Sequence, residues 1–326
     1  MQPLRFTLRP QTAFGTPLAG DTLFGQLCWA LRRRWGNDWL AGRLAGYTNG
    51  RPFLVVSDAF PRGFLPLPAM PGDYWAKDET ADRKALKKKR WLPLKDIASP
   101  FADWQSLAHD DAKAAGTVLE KHGAAAGKTL SQTARPQPHN TINRATGTTG
   151  EGMFSPYGMT QIWFHPEMRL DLYAAIDETR ITAEELAAVL EDMGRSGYGR
   201  DASIGLGKFT IERDAAFTGF SPVGNANAFL TLAPCAPQGL GFDAQKSFYQ
   251  PLTRFGRHGD VAVHSGNPFK RPLLLAKTGG VFTPGDGKID GALHIGQGLN
   301  GLSTSRPEAV AQGYAPVIGI RVEHPQ

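Results

Sequence analysis

Leu4, Phe6 and Leu8 alternate with Arg5, Thr7 and Arg9, the period of a strand with one buried face. A turn-rich stretch, 10–20, follows. Asp21 then stands where it can N-cap a helix that carries Leu23, Phe24, Leu27, Cys28, Leu31 and Trp35 on one side. Residues 52–57, Pro-Phe-Leu-Val-Val-Ser, predict a second strand. Much later, 161–164 is apolar, and Met168, Leu170 and Leu172 alternate with Arg169, Asp171 and Tyr173. These predict a hairpin broken at Pro166. Thr182-Ala-Glu-Glu185 is a capping box, with Leu186, Val189, Leu190 and Met193 at helical spacing behind it. Gly194 is placed as the residue that ends this helix. Residues 208–213 alternate again. The order is β-α-β, then β-α-β, the ferredoxin-like plan that RNA-recognition modules share.

Residues 58–160 interrupt that plan. Pro61, Pro66, Pro68 and Pro71 break any long element. The basic run 83–90 leads into Trp91 and reads either as a solvated helix face or as an RNA-facing patch. Stretch 132–147 is polar and rich in turn formers. The segment is expected to be partly disordered in the free protein and to order on assembly. From about Ala215 the pattern predicts a second, strand-rich unit, with strands at 228–232, 260–264, 271–275 and 316–322 and a short helix near 307–312. The expected fold class is α+β, with two ferredoxin-like (RRM-like) domains. The first spans 1–214 with 58–160 inserted, and the second spans 215–326.

Composition narrows the partner. The chain has 326 residues, 41% of them hydrophobic, enough for two cores. A formal charge of +6 favours a polyanionic partner. Cys28 and Cys235 lie far apart, which speaks against a disulfide framework or a zinc site. No His/Asp/Glu set has metal-ligand spacing, so no metal and no cofactor is expected. The N-terminus lacks an apolar core of signal-peptide length, and no run is long enough to span a membrane. A cytoplasmic protein is expected.

The candidate chemistry concentrates in 194–209. Gly194, Gly197, Gly199, Gly205 and Gly207 sit among Arg195, Arg200 and Lys208, with Asp201 as the only acid. Glycine permits φ > 0 and close approach of another chain. Consecutive free N–H groups in such a loop would cradle an anion, and the basic side chains would add charge. The loop follows a helix and precedes a strand, so it is neither a Walker A loop nor a dinucleotide fingerprint. A long glycine turn with no ligand is the plainer alternative. The triplet Arg32, Arg33 and Arg34 suits the C-terminal end of a helix dipole.

Several pieces, in this order, resemble the RAMP superfamily of CRISPR-associated RNA-binding proteins. Residues 21–28, Asp-Thr-Leu-Phe-Gly-Gln-Leu-Cys, resemble the start of its first helix. Residues 139–147, His-Asn-Thr-Ile-Asn-Arg-Ala-Thr-Gly, with 151–154, are similar to its middle motif. Residues 197–209 resemble its glycine-rich loop. Phe269-Lys-Arg-Pro272, Gly279-Gly-Val-Phe282 and Gly313-Tyr314 resemble its C-terminal half. The match is nearest to the subunit of type III-A effector complexes that holds the 5′ end of the guide RNA, and the type III-B counterpart is similar.

The resemblance implies a non-catalytic subunit that binds the repeat-derived 5′ handle. Its implied partners are the large polymerase-like subunit and a backbone RAMP subunit. The RNA-binding residues expected are His139, Asn143, Arg144, Arg195, Gly197, Tyr198, Gly199, Arg200, Gly205, Gly207, Lys208, Lys270 and Arg271. Tyr198 is the expected stacking ring, Arg195, Arg200 and Lys208 supply the basic groove near the loop, and His139, Asn143 and Arg144 are expected to hydrogen-bond bases or sugars. The family often has Asp where this chain has Asn143, which removes any ion pair with Arg144. The alternative is a metal-independent endoribonuclease of guide precursors, with His139 as general base. Against it, no second catalytic partner accompanies His139 in sequence.

Overall fold

A computed structural model describes residues 1–77, 82–125, 129–221, 223–264, 267–287, 289 and 291–323. Its first sheet has the order Leu54–Pro61, Leu170–Ile176, Gln2–Pro10, Phe209–Arg213, all antiparallel. Numbered along the chain, these four strands lie 2-3-1-4. Alternation decides which side chains face the helices. Phe6 sits opposite Leu172 and Leu8 opposite both Leu170 and Ile211. The helices Gly20–Trp35 and Ala183–Ser196 close over that face, burying Leu23, Leu27, Leu31, Leu186, Val189 and Leu190 in one core.

The capping box at Thr182 forms in both directions, at 3.1 and 2.8 Å. The helix does not end at Gly194. It continues to Ser196, and Gly197 at φ +95° ends it. Gly194 is glycine for another reason: a Cβ there would lie 2.2 Å from the Phe209 carbonyl oxygen, so helix and strand meet backbone to backbone. The first helix also starts differently. Its N-cap is Ala19, with no side-chain cap. The Gly20 N–H donates to Asp58 of the neighbouring strand at 2.7 Å, and Asp21 forms a two-pronged ion pair with Arg254 at 2.6 and 3.0 Å. The acid expected to cap the helix instead ties it to the second half of the chain.

The segment expected to be disordered is largely folded in its described part. The strand 54–61 runs past residue 58. Phe64–Pro66 pairs with Trp91–Pro93. Asp111–Lys121 is a helix capped by Asp110, and its Ala114, Ala115, Val118 and Leu119 join the first core. Trp75, Leu92, Phe101 and Trp104 join a second core on the far side of the sheet, with Phe60 and Tyr173. Apolar positions 114, 115, 118 and 119 have helical spacing, a signal already present in the sequence. The expected hairpin across Pro166 does not form. Tyr157–Trp163 pairs backward with Thr133–His139, from Thr133↔Trp163 to His139↔Tyr157. This two-stranded arm is exposed along nearly all of its first strand.

The second sheet has the order Val281–Phe282, Ala228–Thr231, Ala311–Ile320, His294–Leu299, again antiparallel. Along the chain that reads 2-1-4-3, unlike the first sheet. Among the described residues no α-helix follows Ser196. Asp260–His264, expected as a strand, is a 3-10 helix. The helix expected near 307–312 is absent, because the chain enters a ten-residue strand at Ala311. The Gln312 side-chain amide grips the Val56 N–H and C=O at 2.9 and 2.8 Å, and the Tyr314 hydroxyl donates to the Tyr47 carbonyl at 2.7 Å. These buried bonds to the first half of the chain outweigh any local helical preference. Among the described residues, no helix is long and apolar enough to cross a membrane.

Candidate nucleic-acid interface

The glycine loop is held from inside. Tyr198 N–H donates to the Gly207 carbonyl at 2.9 Å, and Gly207 N–H to the Ala13 carbonyl at 2.7 Å. The Lys208 N–H reaches the Thr12 hydroxyl and the Arg200 N–H the Thr16 hydroxyl, each at 2.9 Å. The N–H groups of Gly197, Ile204, Gly205 and Leu206 also end on carbonyls of the protein. The expected cradle of free N–H groups is therefore largely occupied. What the loop offers outward is side-chain charge.

Tyr198 corrects a second expectation. It is fully buried, its ring lies beside Phe14, and its hydroxyl donates to the Pro17 carbonyl at 2.8 Å. Burial raises its pKa well above the usual phenol range. It is a pillar of the loop and has no face free for a base. Gly199 and Gly207 are required by contact: a Cβ would meet Thr16 at 2.6 Å or the Tyr198 carbonyl oxygen at 2.1 Å. Gly205 lies over open space. Arg195 is exposed and pairs with Asp192.

Arg200 joins the loop to the arm. Its guanidinium donates to the Thr160 carbonyl at 2.7 Å and lies 3.5 Å from Asp201. Phe14 and Ile162 exchange two backbone bonds of 2.8 Å at the same place. The loop, the turn after the first strand and the base of the arm thus form one unit. Lys208 stands at its edge with no ion-pair partner among the described residues.

His139, Asn143 and Arg144 lie toward the other end of the arm. His139 is three residues beyond the Thr160 pairing, about 10 Å along the strand. Its ring stacks on Tyr157 at 5.4 Å with an 11° tilt, and its Nε2 is buried without a partner among the described residues. Asn143 holds the tip turn: its Oδ1 accepts from Ala145 N–H at 2.9 Å, and its carbonyl accepts from Gly147 N–H at 2.8 Å. An amide serves that turn as well as a carboxylate, which explains Asn in place of Asp. Arg144 is exposed.

Lys270 and Arg271 are not part of this cluster. Arg271 is exposed, with its N–H on the Leu302 carbonyl at 2.7 Å. Lys270 turns inward over Gly256, and desolvation lowers its pKa against the partial support of Cys28. Burial pushes the Cys28 thiol up to about 12. Neither cysteine nor lysine is placed to meet a ligand at the loop.

Sequence reasoning missed a cleft of about 690 Å3 beside the loop. Thr16, Asp58, Lys277 and Thr278 line it, together with Lys87, Lys89, Arg90 and Trp91. The basic run 83–90 is mostly exposed, and Lys87, Lys89 and Arg90 near its C-terminal end line the cleft. Asp58 had no local signal, because its partners Gly20 and Thr278 are remote in sequence. Burial raises its pKa to about 7, against hydrogen bonds from Thr278 and Gly20 at 2.6 and 2.7 Å.

The sign of that shift yields a prediction. The folded state holds the proton more tightly than the unfolded chain, so the resulting stability is present below about pH 4 and is lost as pH rises through about 7. The cleft admits water, which screens the effect to about 1 kcal/mol, or roughly 2 °C in Tm. Thermal melts from pH 5 to 8 should show wild type losing this increment relative to Asp58→Asn. Parallel curves would place the Asp58 titration elsewhere.

No family model matches the chain, and no curated protein matches it. Solved structures do. A chain of the Csm3-Csm4 subcomplex of the type III-A CRISPR-Cas interference complex superposes with a TM-score of 0.61 at 13% identity, over 98% of this chain and 99% of that one. The chain has the fold of a type III-A effector subunit. A chain of the Csm1-Csm4 cassette in complex with pppApA gives 0.56 at 15% identity, over 99% and 100%. Both matches run over nearly the whole of each chain. At this identity it is the fold that is shared.

Proposed function

We propose that this chain is the non-catalytic RNA-binding subunit of a type III CRISPR effector complex, built from a ferredoxin-like first unit and a strand-rich second one. It holds the repeat-derived 5′ handle of the guide RNA and bridges the large polymerase-like subunit to the backbone subunits. The observation that carries the reading is the joint of loop and arm. Arg200 and Lys208 stand on a self-braced loop beside a cleft walled by Lys87, Lys89, Arg90 and Lys277. A rigid, positively charged groove suits a single-stranded phosphate chain. The two similar assemblies also support it: Csm4 is the component common to both, beside Csm3 in one and Csm1 in the other. A bridging subunit has such neighbours.

His139 is assigned a holding role, since its ring is engaged with Tyr157. RNA bound to protein purified from cells carrying a repeat array should consist of short species with one common 5′ end. RNA with scattered ends, or none, would overturn the reading. Arg200→Ala should weaken all RNAs alike and lower the slope of log K against log salt by about 0.7. End-labelled repeat RNA should stay intact in excess chelator. Cleavage that disappears in His139→Ala would replace this proposal with the nuclease.

A further inference from the structure

Pro251–Arg254 and Leu273–Ala276 form a two-stranded ribbon. It continues beyond the strand ends. Lys270 N–H donates to the Gly256 carbonyl at 2.9 Å, His258 N–H to the Pro268 carbonyl at 2.8 Å, and Arg257 bridges Phe269. The register slips by one residue between Arg254↔Leu273 and Arg257↔Phe269, and counted back from the second pair Phe255 lies opposite Arg271. Side chains alternate across such a ladder, so Phe255, Arg257, Phe269 and Arg271 share one face. Burial agrees. All four are exposed, Phe255 at 76% and Phe269 at 64%, whereas His258 and Lys270 turn inward. The Arg257 guanidinium lies 5.8 Å from the Phe269 ring centre.

Two bare phenyl rings on a folded surface are costly to leave in water without a partner. The pattern around them indicates which partner. Each ring stands across the ladder from an arginine, and neither 251–257 nor 267–276 contains a carboxylate. Leu274, exposed and paired with Thr253, adds one apolar contact to this face, but a protein-docking face would also gain from mixed charge, which is missing here. Rings interleaved with guanidinium groups match a chain that offers flat bases and phosphates in alternation.

We propose that this ribbon face is a further single-stranded RNA site, built from residues outside the glycine loop. Bases stack on Phe255 and Phe269, and Arg257 and Arg271 meet the phosphates between them. The proposal rests on the function above only for the class of ligand. It also resolves the pair Lys270 and Arg271, of which only Arg271 lies on this face.

The test is photocrosslinking of the full-length protein to a 4-thiouridine-substituted single-stranded RNA of about 20 nucleotides, with the crosslinked peptides mapped by mass spectrometry. Anisotropy titrations of Phe255→Leu/Phe269→Leu and Phe255→Tyr/Phe269→Tyr run beside it. Both side chains are exposed, so neither change threatens folding. Crosslinks are expected within 255–271. The leucine pair should bind about tenfold or more weakly, and the tyrosine pair, which keeps flat faces, should bind like wild type. Crosslinks confined to the glycine loop and arm, with full affinity in the leucine pair, would overturn this site and leave the proposed function standing. Absence of any RNA binding would overturn both. Unchanged RNA affinity together with loss of a co-purifying subunit would reassign the face to a protein.

Discussion

Gly207→Val should abolish the loop, at a cost of about 3–5 kcal/mol, while Gly205→Ala costs about 1–2. Both glycines have φ > 0, at +72° and +99°, so both substitutions bear backbone strain. Only one also meets a wall. A Cβ on Gly207 would lie 2.1 Å from the Tyr198 carbonyl oxygen and 2.6 Å from its nitrogen. These are backbone atoms in a rung of the loop, and Tyr198 N–H donates to the Gly207 carbonyl itself. Nothing there can swing aside. A Cβ on Gly205 meets no atom within 4 Å. Thermal unfolding and RNA titration of the two variants check this. Similar Tm values at both positions would mean that the loop is an ordinary turn with no internal brace.

The second large effect is expected at Tyr198. Tyr198→Ala opens a cavity beside Phe14 and should cost about 3–5 kcal/mol. Tyr198→Phe keeps the volume, loses the hydroxyl bond to Pro17, and should cost about 0.5–1.5 kcal/mol. The informative variant is Tyr198→Leu, which keeps an apolar core but removes the flat ring. If Tyr198 supports the loop from below, this variant loses stability, yet its folded fraction binds RNA with wild-type affinity at low temperature. If the ring stacked on a base, affinity would fall by about 1–3 kcal/mol with Tm nearly unchanged. The second result would mean that the loop opens to bind.

The loop and the arm show where local pattern was sufficient and where it failed. The capping box, the two helices and the first and last strands of the first sheet follow from periodicities of 3.6 and 2 within single stretches. The glycine positions marked the loop, because close backbone approach and φ > 0 leave few other residues available. The role of each loop residue was not legible. Tyr198 lies in a polar, glycine-rich stretch and still faces the core, since its burial depends on Phe14 and Pro17 from the other end of the unit. The strand 157–163 has a pattern that suits either neighbour. Its pairing with 133–139 was decided by the sheet position of 170–176, between two other strands.

By itself the sequence determined the β-α-β, β-α-β order, the place of the glycine loop and a net positive charge that favours a polyanionic partner. Each is local or additive: hydrophobic period, turn chemistry and net charge need no knowledge of distant partners. Tertiary structure alone decided that Asp21 and Asp58 join the two halves, and that Gln312 extends a strand where a helix was expected. It also decided that the glycine loop uses its own N–H groups, and that Phe255, Arg257, Phe269 and Arg271 gather on one face. For Asp21, Asp58 and Gln312 the deciding hydrogen bond links residues remote in the chain, and it forms only once both sides are in place.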